Sequence, residues 1–186
     1  MIEDKESLPI RLSSKTYDKI ELAVVSLYSK LNIKNIPIDP VKIANQLGYI
    51  VKKYSSIKHN VYLKSMTEES DGLSYFDPNV GTYIIYYNDA AMNKRIRFTI
   101  MHEIGHIQLE HKEESSLAKK MADYFAAYFL APSPLIGHFK CEEYEDVINT
   151  FDISFECAEI CFQRYMNWAS IPKMKEYELK LLDLFH

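Results

Sequence analysis

Apolar residues recur at helical spacing along most of the chain. Between Ser14 and Leu31 they return every three or four positions, which predicts an amphipathic helix with Ser13 or Ser14 as its N-cap. Asp39-Pro40 and Gly48 carry the start and stop signals of a short helix between them. Further helices are predicted over residues 90–111, from Ser115 or Ser116 to Ala131, after Ser154, and over 172–185.

Strand-forming residues lie between the second and third of these helices. Residues 73–76 and 82–87 flank the turn-forming sequence DPNVG at 77–81, which predicts a β-hairpin, and residues 49–54 predict a strand before it. The sequence contains no internal repeat and no linker rich in proline, glycine or serine. The pattern therefore predicts a single α+β domain over residues 1–186, mostly helical with a small antiparallel β-sheet.

Composition and charge exclude several classes of protein. With 47% hydrophobic and 26% charged residues the chain resembles a folded globule, and its apolar runs are far shorter than the roughly 20 residues of a membrane-spanning helix. A net charge of -4 gives no basic footprint for direct nucleic-acid binding. The N-terminus lacks the apolar region of a secretory signal, and three cysteines do not make a disulfide scaffold. We therefore expect a cytoplasmic protein with reduced thiols and no membrane contact.

The strongest chemical signal is the sequence HEIGH at residues 102–106. Residues four apart on a helix differ by about 40° of rotation, so His102 and His106 present both imidazoles to one metal ion, which predicts a zinc site. Glu103 is then the predicted general base, because it can take a proton from a zinc-bound water and return it to the leaving amine. The hairpin just upstream offers an edge strand with which an extended peptide substrate could pair.

Two longer motifs extend this signal. Residues 97–111 are RFTIMHEIGHIQLEH, and residues 122–132 are ADYFAAYFLAP. In this order they resemble the zinc helix and the second helix of the ImmA/IrrE family of metallopeptidases, whose zinc helix is commonly RFT-x-x-H-E-x-G-H-x-x-L-x-H. The resemblance covers most of residues 15–170, with a helical extension after them. It implies a zincin-like domain with the small sheet beside the zinc helix, and a regulatory protease whose protein substrate is a DNA-binding transcriptional repressor.

The second helix departs from the family pattern at one position. The resemblance implies a glutamate zinc ligand four residues before the Asn or Asp that supports the site. That supporting position is Asp123 here, and the ligand position holds Lys119. A lysine ammonium is a poor zinc ligand, and its charge opposes that of the ion.

Three interpretations of the third ligand stay open. In the first, Glu113 or Glu114 between the two helices, or Asp123 itself, completes the site. In the second, zinc binds weakly through the two histidines and water. In the third, the Lys119 ammonium takes the place of the ion and pairs with Glu103. The predicted function is therefore a zinc metallopeptidase, and the alternative is a catalytically impaired pseudo-metallopeptidase that acts as a protein-binding regulatory module.

Other residues near the motif receive structural interpretations. His111 lies about 140° around the helix from His106 and should face away from the metal unless the helix has ended. Tyr124 and Tyr128 fall near the predicted site, but packing in the core is favoured over stabilisation of an oxyanion. Cys157 and Cys161 stand one helical turn apart, and we expect them to be core residues rather than a metal-binding pair.

Overall fold

A computed structural model describes residues 11–57, 65, 70–113 and 115–186. Most of these residues are helical and three strands form one sheet, so the predicted α+β class is confirmed. No helix in the described ranges is long and apolar enough to cross a membrane. The elements are α1 (Ser14–Lys30), α2 (Pro40–Gln46), β1 (Ile50–Lys53), a 3-10 turn (Tyr54–Ser56), β2 (Gly72–Asp77), β3 (Thr82–Tyr87), α3 (Asn93–Gln108), α4 (Ser116–Leu130), α5 (Ser133–His138), α6 (Tyr144–Phe151), α7 (Phe155–Ala169) and α8 (Glu176–Asp183).

Most helix starts follow the capping signals in the sequence. Four predicted caps each accept a backbone N–H from the first turn of their helix, namely Ser13, Asp39, Ser115 and Ser154. The third helix is shorter than its apolar pattern, which predicted residues 90–111. It ends at Gln108 because the backbone of Glu110 takes a positive φ of 55°, a conformation that does not continue an α-helix.

The sheet is mixed, with strand order β1-β3-β2. The predicted hairpin is confirmed, since β2 and β3 pair antiparallel with Leu73 opposite Tyr86. However, β1 runs parallel to β3, with Ile50 beside Ile84, so the expectation of a purely antiparallel sheet was wrong. The apolar pattern of a short strand contains no information about its pairing direction. In the described residues β2 pairs only with β3, which makes it an edge strand.

The helix α4 lies at the centre of the core. Its residues from Tyr124 to Leu130 are all buried, and the Tyr28 hydroxyl on α1 donates a 2.6 Å hydrogen bond to the Phe129 carbonyl. The buried Glu21 carboxylate on α1 accepts hydrogen bonds from Tyr124 and, at 2.6 Å, from Tyr177 on α8. These contacts dock the C-terminal helix against α1, and they confirm the core interpretation of Tyr124.

Two glycines let the helix α3 lie close to its neighbours. A Cβ on Gly105 would come within 3.0 Å of the Phe125 ring on α4. A Cβ on Gly72 of β2 would collide with the Thr99 side chain and lie 3.2 Å from Cγ of Glu103. Packing between α4 and β2 therefore fixes α3 from two sides, and the residues 102–106 lie within that packed region.

Candidate functional site

His102 and His106 face each other across one turn of α3. Their Nε2 atoms are 3.0 Å apart, and their ring centroids 4.7 Å. Two nitrogens bound to one tetrahedral zinc ion at about 2.0–2.1 Å are separated by about 3.3 Å. The two imidazoles therefore fit a shared zinc ion with little adjustment, as the spacing in the sequence predicted.

Asp123 lies on the far side of the His102 ring from His106. Its Oδ1 atom is 2.8 Å from Nδ1 of His102, while Nε2 of the same ring points to His106. A carboxylate at this position accepts the Nδ1–H, and so leaves the Nε2 lone pair available for a metal. The contact supports the orienting role that the resemblance implied for Asp123, and it favours that role over direct ligation.

His111 also contacts this pair, although the helical pattern placed it on the opposite face. Because α3 ends at Gln108, the chain turns back and brings Nδ1 of His111 to 3.0 Å from Nδ1 of His106. Burial lowers the pKa of His111, and the nearby His102 adds to this effect. A neutral His111 ring has one acceptor nitrogen, which can receive Nδ1–H of His106 and so fix the tautomer of that ring.

Glu103 is buried on the side of α3 that faces the sheet. Only 8% of the surface of Glu103 is exposed. Its Oε2 atom accepts a 2.7 Å hydrogen bond from the Ser74 hydroxyl on the edge strand β2. This bond anchors one oxygen of the carboxylate to the edge strand. Ser74 could not be identified from the sequence. The alternation of side chains along a strand shows which residues share a face, but not which helix that face packs against.

No third ligand is assigned by the described residues. Within residues 11–57, 65, 70–113 and 115–186, no three His, Cys, Asp or Glu side chains form a group that could hold a metal ion. Glu113 is exposed, and Glu114 lies outside the described residues, so its predicted role stays a prediction. Lys119 lies on α4 one turn before Asp123. The donor set therefore fits zinc at two positions, those of His102 and His106.

A cleft of about 820 Å³ lies near His102, to which two of its lining residues are adjacent. It lies between α3, α4 and α7, and its lining includes Phe98, Asp123 and Arg164. The Phe98 ring centroid is 6.4 Å from that of His102. Arg164 was missed by the sequence analysis, because only the packing of α7 against α4 brings it near the site. The Tyr124 hydroxyl is bonded to Glu21, which leaves it no role at the histidines.

The two cysteines on α7 are free thiols, and both are buried. A hydrogen bond from Cys161 lowers the pKa of Cys157, whose side chain also reaches the cleft. The expectation that Cys157 and Cys161 belong to the core is confirmed, since both join the main apolar cluster.

Comparisons with known proteins identify the family of the chain and two proteins that it resembles in part. A peptidase family model described as IrrE N-terminal-like domain matches residues 55–160, more than half of the chain, including HEIGH. An arginine–tRNA ligase from Marinomonas sp. (strain MWYL1) is 24% identical over 153 residues, which cover 79% of this chain and 26% of that protein. A Mycobacterium tuberculosis transcriptional regulator of solved structure aligns at 13% identity with a TM-score of 0.49, covering 77% of this chain and 49% of that one. The chain thus spans about a quarter and about half of these two relatives.

Proposed function

The chain belongs to the peptidase family of IrrE N-terminal-like domains, and we propose that it is a zinc-dependent metallopeptidase. One observation carries this proposal above the others. The Nε2 atoms of His102 and His106 converge to 3.0 Å, and the buried Glu103 follows His102 directly on the same helix. This arrangement places two nitrogen ligands and a general base on one helix, and catalytic zinc sites usually add a third protein ligand to such a pair.

Each residue of the site has a distinct task in this proposal. His102 and His106 would hold the zinc ion, which when bound would supply a Lewis acid for the scissile carbonyl. Glu103 takes the proton of the attacking water and, after the C–N bond breaks, returns it to the leaving amine. Ser74 holds the carboxylate in place through its 2.7 Å hydrogen bond. Asp123 and His111 orient the imidazoles from their outer nitrogens.

The edge strand β2 offers a binding surface for the substrate backbone. It lies directly against Glu103 through Gly72 and Ser74, and its outer edge has no partner strand in the described residues. An extended peptide that adds to this edge would pass along α3 at the level of the histidines. The main-chain hydrogen bonds give such binding without selecting a sequence, so specificity must come from side-chain pockets.

The proposed substrate is a protein, specifically a DNA-binding transcriptional repressor. This part of the proposal rests on the resemblance of the two helix motifs to the ImmA/IrrE family. A second candidate function, a regulatory module that binds the same partner without cutting it, is favoured by one observation. Lys119 holds the position at which the resemblance implies a glutamate ligand, and the described residues supply no third ligand group.

Metal dependence tests the proposed activity. Internally quenched fluorescent peptides of mixed sequence should be cleaved by the zinc-loaded full chain. Removal of zinc with 1,10-phenanthroline should lower the rate by at least about tenfold, and added zinc, but not magnesium, should restore it, because imidazole ligands favour zinc. Cleavage that persists unchanged in the chelator would contradict a metallopeptidase. No cleavage by the zinc-loaded chain would support the binding module instead.

A further inference from the structure

The cleft of about 820 Å³ lies next to His102, although neither histidine is part of its lining. Two of its lining residues are adjacent to His102. Asp123 accepts a hydrogen bond from the His102 ring, and the Phe98 ring lies beside it. A peptide whose scissile bond lies at the two histidines would therefore place one of its adjacent side chains in this cleft. The chemistry of the lining then indicates which side chains the cleft accepts.

Large apolar side chains in the cleft are unusually exposed. Met92 is 83% exposed, Phe155 50% and Ile160 49%, and all three line the same concavity. They come from the start of α3 and from α7, so they gather only in the folded chain. A concave group of exposed apolar residues is typical of a binding site, since it leaves free energy to be gained when a ligand covers it.

Most charged groups of the cleft are already paired. Arg95 forms a 2.8 Å ion pair with Asp71, and Lys94 lies 3.9 Å from Asp152. Asp123 accepts a hydrogen bond from Nδ1 of His102. The remaining acid, Glu156, lies in the first turn of α7, where its own backbone N–H and then Ser154 lower the pKa of its carboxyl.

Arg164 differs from these groups. Its guanidinium lies over the Tyr124 ring, 4.5 Å from the centroid, and its Nη1 atom is buried with no hydrogen-bond partner among the described residues. A buried donor without an acceptor costs free energy, which a ligand that supplies an acceptor would recover. Arg164 also lines an adjoining cleft of about 460 Å³, where Lys119 and Lys120 join it and Asp123 is the acid. Positive side chains outnumber the acid in this lining, so its charge favours an anion.

We propose that this cleft selects substrate segments in which a large apolar residue lies within a few positions of an acidic residue. The apolar side chain packs on Met92, Phe155 and Ile160, and the carboxylate accepts hydrogen bonds from the Arg164 guanidinium. Arg164 is thus a specificity-determining residue. This inference rests on the proposed function, because it assumes that a peptide crosses the histidine pair.

Peptide binding to a non-cleaving chain tests the inference. The Glu103→Gln full chain is titrated against fluorescein-labelled peptides that contain one phenylalanine, with glutamate one, two or three positions before or after it, and against matched peptides with glutamine instead. Fluorescence anisotropy should show that at least one glutamate peptide binds about tenfold more tightly than its glutamine counterpart, as a charge-assisted bond predicts. Replacement of the phenylalanine with alanine should weaken binding by a similar factor.

Matched variants assign the preference to the cleft. Arg164→Gln should abolish the preference for glutamate, whereas Lys180→Gln, which removes the same charge from α8 outside the cleft, should keep it. Arg164→Lys keeps the charge but loses the planar fork, so part of the preference should survive. Ile160→Ala should weaken binding of the phenylalanine peptides, and Leu179→Ala, at a residue equally exposed on α8, should not. Thermal unfolding verifies that each variant is folded. If Arg164→Gln does not fold, the binding of Arg164→Lys and Ile160→Ala tests the assignment of the preference to the cleft.

Several results would overturn the inference. These are equal binding of glutamate and glutamine peptides, a preference that persists in Arg164→Gln, or no binding of any peptide in the set. The outcome is separable from that of the proposed function. A glutamate preference in a chain whose wild type cleaves nothing would keep the cleft assignment and contradict the peptidase. Cleavage at equal rates with and without acidic residues in the substrate would support the peptidase and contradict the cleft assignment.

Discussion

Replacing Glu103 with glutamine is expected to lower kcat/KM for peptide cleavage by about 10²–10⁴-fold, the usual contribution of a general base. Glutamine has nearly the same shape as glutamate and can still accept a hydrogen bond from Ser74, so the fold should be kept. It cannot take a proton from water at neutral pH. The rate on internally quenched peptides, measured together with the thermal unfolding temperature, separates loss of chemistry from loss of structure.

Glu110→Gln is the matched control for this substitution. It removes the same charge just past the end of α3, at an exposed residue whose positive φ places it outside the helix. The control should cleave at close to the wild-type rate. Equal rates for wild type and Glu103→Gln would exclude the general-base role and, with it, the proposed mechanism.

Replacing Lys119 with glutamate is expected to raise zinc affinity by about a hundredfold. Structural zinc sites with four protein ligands bind with about 10–16 kcal/mol, which corresponds to about 3 kcal/mol for each ligand, or about a hundredfold in affinity. The substitution also removes a positive charge one turn from Asp123, where it opposes the ion. Competition with a chromophoric zinc chelator measures the change in dissociation constant.

Lys120→Glu distinguishes a new ligand from a general effect of charge. It makes the same change of charge one residue further along α4, about 100° around the helix. An increase confined to Lys119→Glu would show that this residue occupies the ligand position. Equal increases in both variants would indicate an electrostatic effect alone, and no increase in either would show that Lys119 does not occupy the place of the missing ligand.

The fold could be predicted where its signals are local. A serine or aspartate ahead of an apolar helix specifies a cap by itself, and DPNVG specifies a turn, so the four capped helix starts and the hairpin were correct. The helices predicted from residues 90 and 172 begin later, at Asn93 and Glu176. The pairing direction of β1 depends on contacts between distant segments, and its pattern lacked that information. The end of α3 was misplaced because apolar periodicity continues past the backbone turn at Glu110.

The same distinction applies to the site. His102 and His106 lie on one helix face by local geometry, so the sequence was sufficient to place them together. Asp123 was found through a resemblance between motifs. Ser74 and Arg164 belong to β2 and α7, and only tertiary packing brings them to Glu103 and to the cleft. The contact of His111 with His106 also depends on a turn that periodicity does not reveal.

The zinc content of the full chain tests the central claim most directly. At about 3 kcal/mol for each ligand, two imidazoles bind zinc with a dissociation constant of about 40 μM. Wild type and a His102→Ala/His106→Ala double variant are therefore dialysed together against about 0.4 mM zinc, and bound metal is measured by atomic emission after the zinc of the dialysate is subtracted. Two convergent imidazoles should give about one equivalent in the wild type and less than about a tenth in the double variant. Equal zinc in both proteins, whether high or near zero, would contradict a metal centre at these two histidines.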